Sequence, residues 1–327
     1  VILLQIYCMP LLIQELNGEV HPVGNNIVIT NDSFAKLEKK KTVEVSVERQ
    51  SVWKDIWKEL RKNKVAMVSV VLLAILIIAV LLAPLSPYDP YKLDASQKLQ
   101  GISSSHWFGT DEYGRDYFTR TLYGGRVSLL VGFMSMIMTV VIGTSLGVFS
   151  GYVGGKVDMF LMSFTDIFLA LPSMLLMVIL NTFLKPGLPT LIVVLSLFSW
   201  ASVARITRAE TMSLKERDFV VATQNLGASN FRVIIKHIIP NILGPVIVAA
   251  SLSVANAILM ESSLSFLGLG VQIPRASWGS MLQGAQAHIL DYPLLAVYPG
   301  VMILITVLSF NLLGDILRNA LEPKIVE

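Results

Sequence analysis

The sequence predicts an all-α integral membrane protein with six transmembrane helices, and three observations predict it. Of its 327 residues, 54% are apolar and only 15% are charged, whereas soluble domains carry about 25% charged residues. Several runs have nearly no charge and approach the ~20 residues needed to cross hydrocarbon. Basic residues also gather in the segments on one side of those runs, which gives the chain a direction across the membrane.

The opening run, "VILLQIYCMPLLIQEL", is too short to span and is interrupted by Pro10. It lacks the basic start and the cleavage site of a signal peptide, and no function is assigned to it. Residues 17–50 are polar and mixed, with a basic run from Lys36 to Lys41, and read with the opening as an N-terminal extension (1–50) of low order. An amphipathic segment follows over 51–64. Val52, Ile56 and Leu60 fall at helical spacing beside Trp53 and Trp57, a pattern suited to the membrane interface.

The first span runs from Val65 to about Leu85, 21 residues without a charge, and a loop containing Pro87 and Pro90 follows. The second runs from about Val127 to Phe149. The third, from about Met159 to Leu184, carries Asp166 and Pro172 inside it. "KPGLP" turns the chain into a fourth span, Thr190 to about Val203. A fifth covers Ile242 to about Leu269, a sixth about Leu294 to Leu313, and a tail closes the chain at 321–327. Residues 127–320 thus form a five-span core behind the first span and its loop (65–126).

Charge sets the side. Lys58, Arg61, Lys62 and Lys64 flank the first span, and the region between spans four and five holds six basic residues, Arg205 to Lys236, against Glu210, Glu216 and Asp218. The loop from Ser86 to Arg126 balances five basic with five acidic residues. Both termini and the segment between spans four and five are therefore expected in the cytoplasm. A net charge of +3 gives no reason to expect nucleic acid. The single cysteine, Cys8, forms no intrachain disulfide. "SGYVGGKVD" fails as a phosphate-binding loop, with Ser150 in place of the first glycine and Val157 in place of the hydroxyl.

"DFVVATQNLGASNFRVIIKHIIP", Asp218 to Pro240, reads as two short helices joined at a glycine. Phe219, Ala222 and Leu226 share one face of the first, and Gly227 stands where a left-handed turn residue is wanted. Ser229, after Ala228, is placed to cap the second helix. There Phe231, Ile234, Ile235 and Ile238 form an apolar stripe opposite Arg232 and Lys236, and Pro240 is expected to end it. Two readings stand: a solvated connection, or a rigid knob offered to a partner.

This stretch resembles the EAA loop of the permeases of ABC importers, matching it at Ala222, Gly227 and Ile239-Pro240. It departs from that pattern at Val221, where the motif has glutamate, and at Thr223. "HWFGTDEYGRDYFTRTLYGGRVSLLVG" (His106–Gly132), "ESSLSFLGLGVQIPRASWGSML" (Glu261–Leu282) and "FNLLGDILRNALEPK" (Phe310–Lys324) are similar to segments of the peptide-importer permeases, in the same order. The resemblance covers roughly Trp53 to Lys324 and is to the second permease of a dipeptide or oligopeptide importer. It implies a type I ABC-importer fold and transport without enzymatic activity in this chain. The implied partners are a second permease, two ATPase subunits that bind ATP and magnesium, a solute-binding protein outside the cell, and membrane lipid. The same family also moves nickel and glutathione. The resemblance further implies that Asp218, Phe219, Ala222, Leu226, Gly227, Ala228, Ser229 and Arg232 couple the chain to an ATPase.

Three other places carry charge. Asp111, Arg115 and Asp116, in "TDEYGRD", read as a short helix on the external face, since the arginines neutralise the acids and no histidine cluster suggests a metal. Asp166, Glu261 and Ser262 lie within apolar runs, where polar groups are costly and functional by default. They either line a path for solute or pack between helices. Lys156 and Asp158, in the turn after the second span, are expected to be solvated or to touch the ATPase. A gradient-driven transporter would need more ionisable groups at mid-membrane, and an intramembrane enzyme would need a paired nucleophile and base; neither pattern is present.

Overall fold

The computed structural model describes residues 52–321, with side chains from residue 56 onward. The N-terminal extension, including Lys36–Lys41 and Cys8, and the tail after Leu321 lie outside the described residues, as do the side chains of Val52 and Trp53. Ten helices carry the described chain: α1 (Val52–Lys62), α2 (Lys64–Leu81), α3 (Tyr117–Val153), α4 (Gly155–Ala170), α5 (Ser173–Phe183), α6 (Leu188–Lys215), α7 (Asp218–Asn225), α8 (Asn230–Phe266), α9 (Trp278–Ala285) and α10 (Leu294–Leu321).

Five of these, α2, α3, α6, α8 and α10, are long and apolar enough to cross a membrane, and the pair α4–α5 makes a sixth crossing if counted as one bent span. The third expected span is therefore broken. Leu171 is extended at φ −80°, ψ 141° before Pro172, and the two halves meet at 84°. The cause is local: proline disfavours helical geometry in the residue before it and removes a backbone donor.

Hydropathy also understated helix length. α3 has 37 residues, about 55 Å at 1.5 Å per residue, well beyond ~30 Å of hydrocarbon. Its polar first turns begin where the Asp116 carboxylate accepts the Thr119 N–H at 2.8 Å, an N-cap inside the segment expected to be loop. The boundary placed at 126/127 falls within this helix. α6 likewise continues from its apolar stretch to Lys215.

Pro240 does not end a helix. The second half of the hairpin is continuous with the fifth span, giving 37 residues from Asn230 to Phe266, with a π-helical stretch at Ile234–Ile238 just before the proline. Widening the helix there accommodates a residue that cannot donate a backbone hydrogen bond.

Packing runs from neighbour to neighbour: α1 and α2 lie against α10, α10 against α8, α8 against α3, and α3 against α6, which holds α4 and α5. A core of Leu76, Val80, Leu129, Ile258, Trp278 and Phe310 joins α2, α3, α8, α9 and α10. A second, with Val131, Met177, Leu191 and Leu195, joins α3, α5 and α6. The closest contact is between α3 and α6. A side chain at Gly143 would come within 2.7 Å of the Trp200 carbonyl, and one at Gly151 within 2.7 Å of the Arg208 carbonyl; at Gly147 it would strike Ala204 and Thr207. Small residues every fourth position let the backbones approach, and in lipid this packing supplies much of the association energy.

Gly147→Leu is expected to force α3 from α6 and lower stability by about 1–3 kcal/mol. Gly300→Ala is the matched control, because an added methyl there meets nothing within 4 Å. Thermal unfolding of the detergent-solubilised protein should show a loss for the first variant only.

Candidate functional site

The hairpin begins where α6 stops. Val220 of α7 is fully buried, packed in a cluster with Val148 and Tyr152 of α3 and with Val233, Ile238 and Ile242 of α8. Tyr152 is the hub of this cluster. Its hydroxyl donates to Asn230 Oδ1 at 3.1 Å and accepts from Gln224 Nε2 at 3.1 Å, and its carbonyl accepts from Lys215 Nζ at 2.7 Å. The chain folds back at Gly227, φ +81°. The Gly227 N–H bonds to the Gln224 carbonyl at 2.9 Å and the Ala228 N–H to the Thr223 carbonyl at 3.3 Å. That pair of bonds is a Schellman motif, which needs a left-handed residue at the glycine.

Anchoring one side leaves the other free. Leu226 is 88% exposed and Phe231 75%, with Phe219 and Ile235 about half exposed. Asp218, Ala222, Ser229 and Arg232 are exposed beside them. Ser229 occupies the N-cap position of α8, but its side chain makes no capping bond, so the expected cap is absent. Val221, where the motif has glutamate, is 40% exposed. Tyr152, Val220 and Val233 were not singled out by sequence reasoning. Tyr152 sits within a run that reads as a glycine turn, and a single tyrosine there carries no periodic signal.

Asp158 is partly exposed and paired within the chain, and Lys156 is exposed. Arg208 holds it in a two-point ion pair, with Nη2 donating to Oδ2 at 2.5 Å, while Ser150 Oγ donates to Oδ1 at 2.6 Å. Asp166 accepts from Arg205 Nη2 at 2.6 Å, and both side chains stay more than half exposed. These two pairs tie α4 to α6 on either side of one helical turn of α6.

Glu261 is fully buried, and Ser262 is nearly so. The hydroxyls of Ser265, Ser128 and Ser262 donate to its carboxylate at 2.6, 3.0 and 3.5 Å. Ser128 also accepts the Trp278 N–H at 3.2 Å, and the Trp278 indole donates to the Thr121 carbonyl at 3.0 Å. The node thus joins α3, α8 and α9 within the chain. Within this chain Glu261 and Ser262 pack between helices.

The segment from His106 to Asp116 is a loop knotted together by buried ion pairs, not the expected surface helix. Asp111, Arg115 and Asp116 are all buried. Asp111 Oδ2 accepts from Arg115 Nε at 2.7 Å and pairs with Arg120 Nε at 3.2 Å, and Asp116 bonds His106 Nδ1 at 2.9 Å. Charges taken out of water are retained only when paired in this way. Among the described residues no group of histidine, cysteine, aspartate and glutamate could hold a metal ion.

Five helices long and apolar enough to cross a membrane, with a bent pair that can make a sixth, place the chain in the class of multi-span helical membrane proteins. Residues 143–327 match the family described as the binding-protein-dependent transport system inner membrane component, and residues 51–101 match the N-terminal transmembrane domain of oligopeptide transport permease C. The chain is 41% identical over 275 residues to the dipeptide transport system permease protein of Alkalihalophilus pseudofirmus, covering 84% of this chain and 90% of that one. It is 36% identical over 276 residues to the glutathione transport system permease protein of Pectobacterium atrosepticum, covering 84% and 91%. The fold matches a chain of the MetNI methionine ABC transporter with a TM-score of 0.51 at 22% identity, covering 62% of this chain and 97% of that chain. The chain belongs to the inner membrane components of binding-protein-dependent transport systems: it is a permease of an ABC importer, a transport subunit and not an enzyme.

Glu261→Ala should leave buried serine hydroxyls without an acceptor and cost about 1–3 kcal/mol. Glu261→Gln, which keeps an acceptor oxygen, should cost less. Unfolding midpoints of the two variants in detergent check the order.

Proposed function

We propose that this permease moves di- and oligopeptides across the cell membrane as one half of a permease pair. Two ATPase subunits, which bind ATP and magnesium, drive it, and an external binding protein delivers the solute. The substrate class rests on relatives named for dipeptides and on the matching oligopeptide-permease N-terminal domain. A glutathione permease among the relatives supports a second reading, in which the cargo is that small peptide.

One observation carries the coupling role: a short helix fixed from behind by Val220 and Tyr152 and bare in front at Phe219, Ala222 and Leu226. The bare face is apolar, and Asp218 and Arg232 at its margins add charge for orientation. The ATPase takes this face, and closure of the ATPase pair moves it. Gly227 keeps the turn tight, with Ala228 and Ser229 leading into α8. Both termini and the hairpin lie in the cytoplasm, following the basic residues, and the Asp111 knot caps the opposite end. The Asp166–Arg205 pair is too exposed to face lipid, so it meets water or the second permease.

Purification of the chain from native membranes, with mass spectrometry of the proteins that accompany it, should recover a second permease and ATPases. Recovery of the chain alone would sink the proposal. Leu226→Glu should then abolish solute-stimulated ATP hydrolysis by the assembled transporter while membrane insertion persists. Gly227→Val should weaken coupling by straining the turn, at about 1–2 kcal/mol for a left-handed residue with a side chain. Normal stimulation in both variants would remove the hairpin from the mechanism.

A further inference from the structure

A cavity of about 600 Å³ opens at the end of the bundle opposite the hairpin, between the end of α2 and the start of α6. Tyr123, Arg126, Leu130 and Phe133 of α3 line it at intervals of three or four residues, so they follow one another down a single helix face. The lining therefore changes from polar to apolar over about 15 Å along the axis. Ile77 and Leu81 of α2 continue the apolar wall, and Arg275 joins Arg126 among the lining residues.

Both arginines are exposed. Among the described residues neither side chain forms an ion pair or donates a hydrogen bond, while Arg115, Arg120, Arg205 and Arg208 all have carboxylate partners. Arg126 lies over the Tyr123 ring, 5.6 Å from its centroid, and Tyr91 meets Tyr123 edge-on at 6.4 Å. Tyrosines in such a place mark the boundary between hydrocarbon and headgroups.

We propose that this groove holds one anionic phospholipid, its headgroup phosphate between Arg126 and Arg275 and an acyl chain along Ile77, Leu130 and Phe133. Guanidinium groups bind phosphate through paired charge-assisted hydrogen bonds, and two of them without carboxylate partners favour a headgroup of net negative charge. The apolar wall suits an alkyl chain. An extended peptide laid along it would leave backbone donors and acceptors unmet against that wall, at a cost that disfavours it. The proposal rests on the membrane location of the chain and not on its cargo, so it stands or falls apart from the peptide reading.

The test is native mass spectrometry of the assembled transporter, released from nanodiscs of equal parts phosphatidylglycerol and phosphatidylcholine. The wild type should retain one phosphatidylglycerol in preference to phosphatidylcholine. Arg126→Ala with Arg275→Ala should weaken that retention about tenfold or more, as expected for loss of charge-assisted bonds, and the double lysine variant should keep most of it. If the alanine pair fails to assemble, Leu130→Trp carries the same test, because it fills the groove with both arginines in place and should expel the lipid. Equal retention by wild type and variants, or no preference between the two lipids, overturns the proposal. So does a cysteine at position 130 that cross-links to the second permease, since the groove would then be a protein interface.

Discussion

Hydrocarbon offers no hydrogen-bond partner, and the rest of the structure depends on that fact. Every backbone group inside the bilayer must be satisfied by the chain itself, so the spans are helices and the irregular segments lie at their ends. The same constraint governs the few charges in the bundle. Asp158 is paired by Arg208, Glu261 is surrounded by serine hydroxyls, and the Asp111 cluster is closed by two arginines. Where helix is lost within a span, at Leu171–Pro172, the break has an identifiable chemical cause.

α3 is the member on which the other parts converge. Its middle meets α6 through Gly143, Gly147 and Gly151. Towards one end Ser128 receives the Trp278 N–H and donates to Glu261, and at the other Tyr152 holds both arms of the hairpin. A displacement of α7 cannot be absorbed at its base, because Val220 and Val233 are fully buried against that end of α3. Packed interiors have few voids and transmit strain. On the proposed reading, a load placed on the hairpin would therefore be felt at that end of α3.

The legible parts of this sequence were those set by local chemistry. Six apolar stretches, the glycine turn at 227 and the outward face of Phe219, Ala222 and Leu226 follow from hydropathy, φ preference and helical spacing. Helix ends were poorly marked, because hydropathy reports where the chain is apolar and not where it is helical. The polar turns from Tyr117 to Arg126 and from Arg205 to Lys215 are as helical as the stretches they extend. Pro240 misled for a related reason: a proline stop is a statement about α-helical hydrogen bonding, and a π-helical turn relaxes it. Nothing local placed Tyr152, Ser128 or Trp278, since their roles arise only when distant segments meet.

Exposure itself has two meanings in this molecule. Phe183, Leu175 and Leu304 are as bare as many hairpin residues, yet apolar side chains on a span face acyl chains as apolar as themselves and need no further cover. Leu226 and Phe231 differ in kind, because they stand beyond the last hydrophobic turn, in a stretch with Asp218, Arg217, Arg232 and Lys236. Apolar surface held in water costs roughly 25 cal/mol for each Å², and a lone connecting loop would have no reason to hold it rigidly there. The rigidity comes from Val220 behind and the Schellman turn beside it. On the proposed reading a partner that covers this face removes that cost, and the contrast between buried Val220 behind and bare Leu226 in front accords with docking even though the motif's glutamate is replaced by Val221.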